Sequence, residues 1–179
     1  MRKTSVLAAV VLSTFAGATA CDDATDLDDL FFAANLSTAN VVGPIILPIG
    51  VDPATGVAAI SFEDGLMSVV ITITGDLSSG VTGAQIRGPA STIENADVVF
   101  DFGPAMAAAI AAGARTGTVL NATYDLESLA IGPTGDLRLS IVDFVNLLSS
   151  GLAYVNVASS TNPNGELRGQ VVVVENDVD

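Results

Sequence analysis

The chain has 179 residues, half of them hydrophobic and 15% charged, which allows one domain with a substantial core and excludes a disordered polymer. Its formal net charge is −14, and it contains no histidine, no tryptophan and a single cysteine. Such a surface repels phosphate backbones, so nucleic acid is a poor partner; no intrachain disulfide can form, and no Cys/His metal site can be assembled.

The first residues read as an export address. Arg2 and Lys3 precede an apolar run from about Val6 to Phe15, too short for an ordinary membrane span, and then the small residues Ala16 to Ala20. Residues 1–20 are therefore assigned as a signal peptide. Ala18-Thr19-Ala20 fits an ordinary cleavage site. The stretch "ATAC" also resembles a lipobox, with Ala18 in place of the usual large aliphatic residue. In that reading Cys21 carries a lipid and anchors the protein in a membrane, which accounts for a lone exported cysteine. The other reading is a soluble secreted or periplasmic protein. Residues 21–29, rich in aspartate, form a self-repelling tether, and 175–179 an acidic tail.

From Leu30 to Val174, short strand-like runs alternate with Gly, Pro, Asn and Asp. "LFFAANLST" is a first strand, and "VVGPIILPI", with Pro44 and Pro48, suits an edge strand. "GVAAISF" and "LMSVVITITG" flank "EDG", a tight hairpin signal. In the second of these, Val69, Ile71 and Ile73 alternate with Val70, Thr72 and Thr74, the period of a half-buried strand. "TGAQIRG", "ADVVFDF", "GTVLNATYDL" and "DLRLSIV" continue the pattern. "PAMAAAIAAGA" reads either as a short helix with proline in its first turn or as a small-residue crossover loop, and "IVDFVNLLSSG" predicts a short buried helix. About nine strands at this spacing predict an all-β chain, an antiparallel Greek-key β-sandwich of immunoglobulin-like or superoxide-dismutase-like type.

The closing stretch "GLAYVNVASSTNPNGELRGQVVVV" predicts a hairpin with Asn156 opposite Arg168 and Val157 opposite Leu167. That register keeps apolar residues together. It leaves Tyr154, Asn156, Glu166, Arg168 and Gln170 on the other face. Gln85 and Arg87 likewise share a face of their strand. If the two strands are neighbours, Gln85, Arg87, Tyr154, Asn156, Glu166 and Arg168 form one polar patch. Two arginines there could grip a carboxylate or sulfate. Arg168 is alternatively a structural partner of Glu166.

"FFAANLSTANVVGPI", "ATGVAAISF", "VTGAQIRGPA" with "ADVVFDF", and "AYVNVASSTNPNGELRGQV" together resemble the chordin-type domain, CHRD. Coverage runs from about Leu30 to Val174, least closely over 103–140. The resemblance implies a binding or structural module of extracellular proteins, without catalysis or cofactor. Members commonly carry histidine where this chain has Gln85, Arg87 and Ala158. Histidine-dependent metal or ligand binding is therefore lost or replaced here, and the resemblance implies no metal site. The expected partner is a protein or polymer at the cell surface.

Two other classes are weighed. Acidic loops or the tail could bind calcium in a secreted protein, although no EF-hand spacing occurs. Asp101, Asp125, Asp136 and Asp143 could supply a hydrolytic carboxylate pair, but their spacing singles out none. There is no phosphate-cradling glycine loop and no nucleophile elbow.

Overall fold

The computed structural model describes residues 30–50, 52–128, 131 and 139–174. The expected leader, Cys21, the expected tether, Asp136 and the acidic tail lie outside the described residues. The strands are β1 (Leu30–Ser37), β2 (Thr55–Glu63), β3 (Leu66–Thr74), β4 (Val81–Arg87), β5 (Val98–Asp101), β6 (Gly117–Asp125), β7 (Tyr154–Ser159), β8 (Leu167–Gln170) and β9 (Val172–Val173). Two helices accompany them, α1 (Ala107–Ala111) and α2 (Ile141–Ser149).

All pairings are antiparallel, and the sheet runs in the order β5-β4-β7-β8-β1-β2-β3-β6, with β9 on β1. The chain is all-β, as expected. Its hydrogen bonding, however, is one continuous curled sheet and does not divide into two. Twist and register shifts near Ile71, Val81 and Ile86 bend the sheet. Its two ends consequently approach each other: the Phe100 ring on β5 lies edge-on to the Tyr124 ring on β6, with centroids 5.1 Å apart.

Period-two alternation builds the core. Phe32, Ala34 and Leu36 of β1 face Ala58, Ile60 and Phe62 of β2, then Met67, Val69, Ile71 and Ile73 of β3, all buried. The β2–β3 hairpin has a two-residue turn, with Glu63 paired to Leu66. Asp64 and Gly65 take φ of 49° and 73°, the left-handed backbone that such a turn requires.

Helix α2 begins at Ser140, whose hydroxyl accepts from the Asp143 amide and donates to the Asp143 carboxylate. Phe144, Val145 and Leu148 turn inward, and the Phe144 ring meets Phe62 at 6.4 Å.

Two expected strands are not found among the described residues. Residues 41–50 form a loop after a 3₁₀ turn at Thr38–Asn40, because Pro44 and Pro48 cannot donate to a ladder. In "DLRLSIV", Ile141 and Val142 belong to α2, where the Ser140 cap overrides their β propensity, while 136–138 lie outside the described residues.

Phe144→Ala should cost about 3–5 kcal/mol in urea unfolding, as for other buried aromatic truncations. Val142→Ala, on the half-exposed side of the same helix, should cost under about 0.5 kcal/mol.

Candidate functional site

The outward face of β5-β4-β7-β8 is organised in cross-strand rows. One row runs Asp101, Gln85, Asn156, Arg168; the next runs Val98, Arg87, Tyr154, Gln170; on the other side lies the pair Gly83–Ala158. The register of the closing hairpin is the expected one, with Asn156 opposite Arg168 and Val157 opposite Leu167. The strand carrying Gln85 and Arg87 is its direct neighbour.

The face is only partly open. Arg168 is 2% exposed and Tyr154 1% exposed, because the loop 88–97 folds over them. Arg168 donates through Nη1 to the Glu94 carbonyl (2.7 Å) and through Nη2 to the Ser91 carbonyl (2.7 Å). Its guanidinium carbon sits 3.7 Å from the Tyr154 ring centre, a cation–π contact. The Tyr154 hydroxyl accepts from the Ala96 amide (3.1 Å), and Gln170 donates to the Ala90 carbonyl (2.8 Å). A second loop joins this cover: Asn40 donates to the Arg168 carbonyl, and Asn95 donates to the Val42 carbonyl. Burial lowers the Arg168 pKa from its ordinary value, and Tyr154 opposes the shift.

Glu166 does not pair with Arg168, contrary to the structural alternative expected from sequence. The Glu166 amide donates to the carbonyl of Val157, although Val157 pairs with Leu167. This irregularity aims the carboxylate at a different set of donors. It accepts from the Ser78 amide (2.5 Å), the Ser78 hydroxyl (2.5 Å), the Ser159 hydroxyl and Asn162 Nδ2 (3.1 Å). Asn162 also clamps Ile46, donating to its carbonyl (3.0 Å) and accepting from its amide (2.8 Å). Burial pushes the Glu166 pKa up, but the bonds from Ser159, Ser78 and Asn162 outweigh it and hold the group below the ordinary 4.5.

Two of the six patch residues, Gln85 and Arg87, remain half-buried beside solvent-accessible space, with the buried Asn156 below them. Gln85, Arg87 and Asn156 line a polar cleft of about 260 Å³ together with Asp101, Gly83 and Ala158. Arg87 donates twice to the Gln85 side-chain oxygen (3.0 and 2.7 Å), and the Gln85 amide donates to Asp101 (3.1 Å). Asp101 also accepts from the Gly103 amide (2.7 Å). Nearby, burial first and the Asp101 charge second raise the Tyr124 pKa. Gln85, Arg87 and Ala158, the positions where the resembling family commonly has histidine, thus converge on one cleft, and none carries an imidazole.

Sequence reasoning missed Ser78, Asn162 and the carbonyls of Ser91 and Glu94, whose contacts span long sequence separations. It also missed Gly83, whose lack of a side chain opens the cleft. The candidate carboxylates have local duties: Asp101 as above, Asp125 accepting from Glu127, and Asp143 in the α2 cap. Asp97 and Asp143 line an otherwise mainly apolar groove of about 430 Å³. Among the described residues no three acidic groups converge as a metal site would need. No helix among them is long and apolar enough to cross a membrane.

Compared with known families, residues 32–171 match the CHRD domain, most of the chain. Neither the curated proteins nor the solved structures include a significant match.

Arg168→Met should cost about 3–5 kcal/mol, because the carbonyls of Ser91 and Glu94 lose a buried charged donor; chemical denaturation measures it, and Arg87→Met serves as the milder comparison. Glu166→Gln should cost about 2 kcal/mol at neutral pH. Since the folded pKa of Glu166 is depressed, its stabilisation is present above the unfolded value and lost as pH falls through the folded one. The Tm gap between wild type and Glu166→Gln should hold steady above about pH 5 and narrow below about pH 4.

Proposed function

The chain belongs to the CHRD domain family, and we propose that it acts as a non-catalytic binding module of the cell envelope, exported by its leader and anchored through a lipid on Cys21. Its partner is a protein or polymer met in the cleft above Gly83 and Ala158. The observation that carries this reading is the division of the polar face. Tyr154, Glu166 and Arg168 are consumed in buried networks, whereas Gln85, Arg87 and Asp101 edge an accessible cleft, with the buried Asn156 at its base. Amides, a guanidinium and a single carboxylate suit recognition by hydrogen bonds. The cleft's one hydroxyl, Thr82, is not hydrogen-bonded to its one carboxylate, Asp101, as a nucleophile activated by a base would be.

The acidic coat fits an exposed, soluble head. A short aspartate-rich tether between lipid and domain would hold the head away from an anionic bilayer.

For the anchor, mass spectrometry of the native N-terminus should find diacylated Cys21; an unmodified N-terminus in the soluble fraction would refute it. For the cleft, the purified residue 22–179 domain should co-sediment with a native envelope fraction. Gly83→Val, which fills the cleft, should weaken that binding by at least about tenfold, or about 1.4 kcal/mol. Equal binding by the variant would overturn the proposed site.

A further inference from the structure

We propose that the cleft over Gly83 and Ala158 recognises a neutral, hydroxyl-rich ligand, one sugar unit of an envelope polysaccharide. This rests on the reading of the domain as a binding module and names the chemistry of its partner.

The floor is bare. Gly83 and Ala158 are paired across β4 and β7, and a Cβ built on Gly83 would meet nothing within 4 Å. Removing side chains from one row of a sheet leaves a depression one row wide. Its volume of about 260 Å³ suits a single small ring rather than a longer segment.

The wall is planar and fixed. Asp101, Gln85 and Asn156 stand side by side in one cross-strand row. Gln85 is held between Arg87 and Asp101, Asp101 is held by Gly103, and the Asn156 amide donates to the Asn164 carbonyl (3.3 Å). Groups already oriented lose little freedom on binding. Asp101 accepts at two oxygens, while the Gln85 oxygen is filled by its two bonds from Arg87, so Gln85 offers a ligand its second amide N–H. Vicinal hydroxyls, each both donor and acceptor, satisfy such a row. Thr82 adds a hydroxyl at the rim.

Charge excludes the ionic alternatives. Arg87 and Asp101 are bridged by Gln85, so the wall carries one cation and one anion in balance. An anionic ligand would face Asp101 and the field of a chain with net charge −14. A cationic ligand would face the Arg87 guanidinium. A neutral ligand meets neither penalty.

Topology argues against an extended peptide. β7 lies between β4 and β8, and β4 is flanked on its other side by β5 along Gln85–Arg87 and by Phe102 and Ala114, which bond Ala84 and Val81, so no continuous edge is left for strand addition. The lining also lacks a deep apolar pocket for an anchoring side chain. No aromatic ring lines the cleft, so recognition runs through hydroxyl hydrogen bonds rather than stacking. One unit would then bind weakly, and strength would come from many anchored copies on one polymer.

The test uses the residue 22–179 domain and the Gly83→Val variant, with circular dichroism and Tm confirming that both are folded. Methyl glucoside, methyl galactoside and methyl N-acetylglucosaminide are titrated by NMR, with acetate and tetramethylammonium as charged probes. At least one glycoside should shift the side-chain amides of Gln85 and Asn156 in the wild type and not in Gly83→Val. No glycoside response, an equal response in the variant, or a response to the charged probes alone would overturn the proposal. Envelope fractions treated with periodate or with protease separate this from the broader reading. Binding lost to periodate supports a sugar. Binding that is cleft-dependent, resists periodate and is lost to protease keeps the binding module and overturns the sugar.

Discussion

The guanidinium of Arg168 is the constraint on which the outward face depends. It is buried on β8, and among the described residues it is neutralised by backbone carbonyls and the Tyr154 ring rather than by a carboxylate. A buried charge without its acceptors costs several kcal/mol. The loop 88–97 must therefore deliver the carbonyls of Ser91 and Glu94 whenever the sheet is formed. Once that loop is placed, Asn95 bonds Val42, and Asn40 bonds the Arg168 carbonyl. One side chain thereby determines two loops far from it in sequence.

Glu166 does the complementary work at the end of the hairpin. Two residues from Arg168, it would share its face in a regular strand. The bulged bond from its amide to Val157 sends it instead to Ser78, Ser159 and Asn162. Gly165 permits this bend: its φ is 132°, and a Cβ there would collide with the Asn156 side chain. Separating the two charges lets each be a hub for different loops. An ion pair between them would have satisfied both and left the loops at 78 and 91 without their ties.

Local features were legible because their causes are local. The alternation in "LMSVVITITG", the "EDG" turn and the apolar spacing of α2 each depend on neighbours within a few residues. The closing register was legible too, since a one-residue slip would have exposed Val157 and Leu167. What was not legible depends on distant partners. The pattern put Tyr154, Asn156 and Arg168 on one face, which the register bears out, but it also put Glu166 there, and the bulge takes Glu166 off that face. Nothing in that pattern could show that residues 88–97 would cover half of it. Likewise "VVGPIILPI" is apolar enough for a strand, but its two prolines leave it as a loop held through Ile46 and Asn162. The unbroken course of the sheet rests on few paired positions, Ser37 of β1 with Arg168 of β8 and Phe32 and Ala33 with Val173 and Val172 of β9, which no periodicity reveals.

The cleft follows from the same economy of side chains. On the face of β4 and β7 every row but one carries bulky polar or aromatic groups, and the loops close over the rows nearest Arg168. The row at Gly83 and Ala158 is left low. Its wall would collapse if Gln85 were free to swing, but the relay from Arg87 through Gln85 to Asp101 holds it upright. The relay also cancels charge locally within a strongly acidic chain. An acidic exterior keeps such molecules apart from one another and from anionic surfaces. The recess within it is locally neutral, so net charge and fixed hydrogen-bonding groups are carried by different parts of one surface.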